Sequence, residues 1–179
     1  MIWPFERDRL EVDAALLVGA ANTLANGMFA KLIDAFPFIP HDERGQKYWD
    51  FIVTIAGVFF ALIRLRTLNL KEKRRLKLEK KVAACLVQLY PRGARAAFEN
   101  CKSFFDRTYY DLLDADREQQ LVASDAIGAW VVWEILRHPA ETEHEFELVR
   151  SVGAMIVQSF FDWWERDNEL KTVAKRAVE

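Results

Sequence analysis

Apolar residues recur every three or four positions along almost the whole chain, the period of an α-helix with one buried face. The first such stripe is Leu10, Ala14, Leu17, Ala21, Leu24, Met28, Leu32 and Phe36, which predicts a helix from about Asp8 to Ala35. Gly19, Ala20, Ala21, Ala25 and Gly27 keep parts of that helix thin, so a neighbour is expected to approach closely there. Phe36-Pro37-Phe38-Ile39-Pro40 ends it, because proline lacks a donor and restricts the residue before it. His41 to Gln46 then reads as a polar loop.

A second helix is predicted from about Gln46 to Thr67 and a third from about Lys71 to Tyr90, before Pro91-Arg92-Gly93. Leu68-Asn69-Leu70 is a weak break, so the 46–90 region is either one long helix or two consecutive ones. A single helix there would run roughly 65 Å at the helical rise. The fourth helix covers about Ala94 to Leu113, with Ala97, Phe98, Cys101, Phe104, Phe105, Tyr109 and Leu112 inward. After the turn Asp114-Ala115-Asp116, a fifth runs to Arg137, where His138-Pro139 breaks it. The sixth starts near Thr142, capped with Glu145 three residues on, and runs to about Asp167. Residues 168–179 are weakly apolar and are expected to fray. The fold class is therefore all-α: one single-domain bundle of about six helices over residues 1–179, with no repeat or linker.

Composition sharpens this in one respect. Six Trp and 13% aromatics supply ample apolar area, while seven Gly and five Pro are too few for a turn-rich β protein.

Phe51 to Ile63 carries no charge and is followed by nine Lys or Arg within Arg64 to Lys81, against Glu72 and Glu79 alone, a net of +7. Thirteen residues cover about 20 Å of a ~30 Å hydrocarbon core, and Asp50, Arg64 and Arg66 bound the run closely. A buried central helix is the reading this favours, within one chain or across a dimer. Residues 99–147 hold twelve acidic and four basic side chains, a net of −8, and are expected to face the basic run within the fold or across two copies. The first apolar patch, Ala14 to Ala21, follows four acidic residues rather than a basic region, so a cytoplasmic location is expected.

Candidate chemistry is sparse. Glu141 and His144 have the Glu-x-x-His spacing of helical di-metal sites, and Glu134 and His138, one turn apart at a helix end, could join His144 across the Pro139 turn, so these four form a candidate metal set. A solvated helix start explains the same residues, since carboxylates are favoured there. Lys71, Arg74, Arg75, Lys77, Lys80 and Lys81 are candidate contacts for an anion or a partner. Nucleic acid is disfavoured, because Leu76, Leu78 and Val82 continue an apolar face through this run. Trp163 and Trp164 point about 100° apart on a helix, so one of them is a candidate interface aromatic. Asn22, Thr23 and Asn26 line a pocket between helices or form the first helix's outer face. Cys85 and Cys101 have no metal or redox spacing and read as free thiols. There is no Gly-rich phosphate loop, nucleophile elbow or zinc-protease pattern.

The sequence points first to a non-catalytic helical binding protein, regulatory or scaffolding, which forms a homodimer and uses no cofactor. One alternative is a peripheral membrane protein using residues 51–81. The other is a metal-dependent helical-bundle enzyme.

Overall fold

A computed structural model describes the backbone of residues 4–66, 72–108 and 117–166, and the side chains of residues 9–63, 72–105 and 124–159. Six helices and no strand occur among the described residues. They are α1 (Pro4–Leu32), α2 (Glu43–Arg66), α3 (Glu72–Leu89), α4 (Ala94–Thr108), α5 (Arg117–Leu136) and α6 (Glu143–Arg166).

The apolar run lies in α2, and every residue from Ile52 to Ile63 is buried inside the chain. A helix apolar all round needs neighbours all round, and α2 touches each of the other five. By length and composition Glu43–Ile63 is the one described span able to cross a membrane, but 72% of its apolar window lies inside the fold.

Successive helices run up and down around α2. Trp49 Nε1 donates to the Ala25 carbonyl at 3.2 Å, which sets α2 antiparallel to α1. The Phe51 and Tyr90 ring centroids are 5.1 Å apart, so α3 returns to the start of α2. Residues 46–90 are thus two helices folded back on each other, not one rod; Leu68-Asn69-Leu70 lies outside the described residues. Phe59 stacks on Phe105 with centroids 5.0 Å apart, joining α4 to the middle of α2.

One boundary differs from the sequence expectation for an identifiable reason. His41 to Gln46 is not all loop: Asp42 caps α2, its Oδ1 accepting from the Gly45 amide at 2.8 Å. Gly45 is required at that corner, because a Cβ there would lie 2.2 Å from the Pro40 carbonyl oxygen. At the other turn, α5 ends on Arg137 in the left-handed region (φ 64°). Thr142 and Glu145 do form the anticipated capping box. Glu145 Oε2 accepts from the Thr142 amide at 2.9 Å, and Thr142 Oγ1 accepts from the Glu145 amide at 3.3 Å.

The close helix approach anticipated at Gly19 and Gly27 is not there. Ala21 and Ala25 are buried, but a Cβ at Gly19 or Gly27 would meet nothing within 4 Å. The close approach lies between α5 and α6. A Cβ on Gly128 would stand 1.9 Å from the Val149 carbonyl oxygen, and one on Gly153 would stand 1.9 Å from that of Ser124. The two contacts are symmetric about the turn, as an antiparallel hairpin demands. Glycine is the only residue that fits at either point.

Two predictions follow from these contacts. Gly128→Ala or Gly153→Ala is expected to cost about 3 kcal/mol in urea denaturation, because backbone, not a flexible side chain, must move. Gly19→Ala and Gly27→Ala, on open helix surface, are expected to stabilise by about 0.5 kcal/mol.

A third prediction concerns pH. Hydrogen bonds from the Glu141 and Thr142 amides hold the Glu145 carboxyl below its usual 4.5. A lowered folded pKa gives stability that is complete above the unfolded value and lost as pH falls through the folded one. The melting temperature should therefore fall more steeply with acid below about pH 4.5 in the parent than in Glu145→Gln.

Candidate functional site: the groove between α3 and α4

The fold distributes the candidate site residues over several places. Glu134 Oε2 accepts from the Tyr48 hydroxyl at 3.1 Å and from Arg137 Nη1 at 3.0 Å. The Arg137 guanidinium also lies 4.8 Å over the Tyr48 ring. Burial, then the nearby Glu134 charge, pushes the Tyr48 phenol up to about 12. Glu134 therefore works as a tie between α2 and α5.

His138 Nε2 lies 3.8 Å from Glu145 Oε1, and His144 Nδ1 lies 3.3 Å from Glu147 Oε2. Glu141 precedes α6, so the Glu-x-x-His spacing does not place it and His144 on one helical face. The four candidate metal residues are not brought into one site. Among the described residues no three His, Cys, Asp or Glu come close enough to hold a metal ion.

The basic residues of α3 also separate. Arg74, Lys77 and Lys81 recur at i, i+3 and i+7, and Lys81 pairs with Glu11 of α1. Arg75 shares the face of the buried Leu78, Val82 and Leu86, and its Nε is buried with no hydrogen-bond partner. Lys80 is exposed on a third side. Lys71 lies outside the described residues, as do the side chains of Trp163 and Trp164.

The expected meeting of acidic and basic blocks takes a different form. The acidic start of α6 sits with the start of α2, whereas the basic residues open α3, about 27 Å away along that 18-residue helix. Among the described residues, one ion pair joins the two blocks with the opposite polarity to that anticipated, Lys102 of the acidic block with Glu79 of the basic one; the side chains of residues 64–71 and 106–123 lie outside those described.

A polar cluster occupies the contact of α1, α2 and the end of α3. The Tyr90 hydroxyl donates to Asn22 Oδ1 at 2.7 Å, and the Thr54 hydroxyl donates to the Asp50 carbonyl at 2.5 Å. Of the three polar residues weighed on α1, only Asn22 turns inward; Thr23 and Asn26 are exposed. Asp50 Oδ1 is buried with no hydrogen-bond partner, and burial raises its carboxyl. Burial likewise raises the Tyr90 phenol. Cys85 and Cys101 are free thiols raised by burial, which keeps them in the unreactive neutral form.

Sequence reasoning missed one concave feature among the described residues. The α3 stripe read as one apolar face divides in two: Leu78, Val82 and Leu86 face the core, whereas Leu76 and Val87 are 43% and 40% exposed. Leu76, Ala83, Ala84 and Val87 form one wall of an open groove of about 1040 Å³. Arg95, Ala96, Phe98 and Glu99 of α4 form the other, and Pro91 and Gly93 close one end. Gly93 holds a positive φ of 85°, which turns α3 into α4 in four residues. The Lys102–Glu79 pair fixes the register of the two walls. Small side chains in the middle leave room for a backbone to approach closely. Lys80, Arg95 and Glu99 project around the rim.

The polar cluster generates a prediction distinct from the groove. Tyr90→Phe and Asn22→Ala are each expected to cost about 1 kcal/mol in chemical denaturation. The double variant should cost clearly less than their sum, because both remove one hydrogen bond. Set against known proteins, the chain matches no protein-family model, no curated protein and no solved structure.

Proposed function

We propose that this chain acts by binding: it is a helical interaction module, regulatory or scaffolding, whose α3–α4 groove receives an amphipathic helix of a partner. The observation that carries this is the groove itself, which is open and lined by both apolar and charged side chains, while α2 is enclosed on all sides. A helix laid in such a groove buries its apolar face and keeps its polar face in water. The membrane-surface alternative has less support, because the apolar half of residues 51–81 is enclosed by the chain's own helices. The described basic residues of α3 are divided among three sides of that helix.

Photo-crosslinking in cells tests the reading. Benzoylphenylalanine at position 76 or 87 is expected to give a discrete protein adduct. The same probe at Phe146, 47% exposed on α6, should not give that adduct. If groove and control positions yield the same adducts, or none, the groove is not a binding surface.

A further inference from the structure

We infer that Asp50 is a proton-operated latch on the end of α3: without its charge it holds the clasp of α1, α2 and α3 closed, and with its charge it loosens that clasp and the turn into α4. Oδ1 of Asp50 is buried and has no hydrogen-bond partner. Thr54 lies one turn along the same face of α2, with its hydroxyl 3.4 Å from Asn22 Oδ1 of α1 and 3.3 Å from the Tyr90 hydroxyl at the end of α3. The hydroxyl protons of this cluster are already committed. Tyr90 donates its own to Asn22 Oδ1, and Thr54 donates its own to the Asp50 backbone carbonyl. Neither is left for the carboxylate. A buried charge without a partner is unfavourable, whereas a protonated carboxyl is neutral and brings a donor among these oxygens.

No countercharge relieves Asp50. α1 carries no charged residue between Asp13 and Lys31, α2 none between Asp50 and Arg64, and α3 with its turn none between Lys81 and Arg92. Lys47, three residues before Asp50, is exposed and paired with Glu43, and Lys81 is paired with Glu11. Glu134 and Arg137 of α5 bond to each other beside Tyr48, which stands about 200° around α2 from Asp50. Glu145 of α6 is held by the amides of its own helix start. Burial alone raises the Asp50 carboxyl, so neither Arg92 nor Arg95 beyond the turn offsets it. Burial also raises the Tyr90 phenol, and the Asp50 charge adds to that rise.

The latch acts on a defined piece of the fold. Tyr90 stands just before Pro91 and Gly93, and the positive φ of Gly93 turns the chain into α4. Phe51, next to Asp50, packs on the Tyr90 ring and would lie 3.8 Å from a Cβ at Gly93. Pro91 and Gly93 close one end of the α3–α4 groove, so that end responds to the latch. The latch is a property of the single chain and stands whether or not the groove takes a partner. A carboxyl raised in the folded state contributes stability that is complete at low pH and is lost as pH rises through the folded value. The dependence is opposite in sign to that of Glu145.

Amide hydrogen exchange on the whole chain, corrected for intrinsic rates, tests the latch where it acts. In the parent, protection of residues 86–90 should rise severalfold between about pH 7.5 and about pH 4.5, while residues 148–156 in the middle of α6 should not follow. Asp50→Asn keeps the shape, removes the charge and carries a permanent donor, so its protection at residues 86–90 should be high and equal at both pH values. The carbon-13 shift of the Asp50 carboxyl should titrate with the same midpoint as the protection. The latch is overturned if parent and Asp50→Asn share one pH dependence, or if Asp50→Asn is the less protected of the two near neutral pH. A carboxyl midpoint in the ordinary carboxylate range overturns it as well.

Discussion

The burial of α2 from Ile52 to Ile63 is the constraint on which the rest of the structure depends. Each large aliphatic or aromatic side chain removed from water there contributes about 1.5–3 kcal/mol, but only while covered. A helix with no polar face cannot be covered by one partner. The five other helices surround it, and their up-and-down order keeps the connections described here short. Thr54 is the exception in the run, a fully buried hydroxyl among apolar neighbours. Leaving such a group unpaired costs about 1–3 kcal/mol. Its bond to the Asp50 carbonyl, beside the Tyr90–Asn22 pair, turns that liability into a clasp between α1, α2 and the end of α3.

Covering α2 places its own demands on the outer helices. The α5–α6 hairpin meets them by bringing two backbones into contact at Gly128 and Gly153. Tyr48, Glu134 and Arg137 then fix the turn end of the hairpin to the start of α2. These ties take up Glu134, one of the residues that looked most chemical in the sequence. Glu134 and His138 have partners from their own fold, and the carboxylate of Glu145 is occupied by the backbone amides of a helix start.

The fold was legible because its signals are local. Helical periodicity, the prolines after Phe36 and Tyr90, and the Thr142–Glu145 box each act within a few residues, and the observed helices begin or end near them. Phe51 to Ile63 was legible as core because length and flanking charge oppose a membrane span. What failed to show was pairwise. Gly19 and Gly128 look alike in sequence, yet one faces open space and the other faces Val149, and only the crossing of α5 and α6 separates them. The groove was hidden for a related reason. Leu76 and Leu78 stand two residues apart, about 200° around a helix, so a run that reads as one apolar face contributes to two.

That division explains why exposed apolar surface falls on α3, where the binding surface is proposed. α2 spends all its apolar surface inside, whereas α3 buries only Leu78, Val82 and Leu86. Its remaining apolar residues are too regular for chance exposure of single side chains, which is normal on any surface. They recur at 76, 83–84 and 87 beside a second helix that shares their register. Leu76 and Val87 left open in a chain that encloses its most apolar helix so fully have a cost in water. The charges around them argue the same way. Were the rim of one sign, it would serve solubility or draw an oppositely charged ligand. With Lys80, Arg95 and Glu99 together it is mixed in sign, which suits the proposed binding of a partner of defined shape.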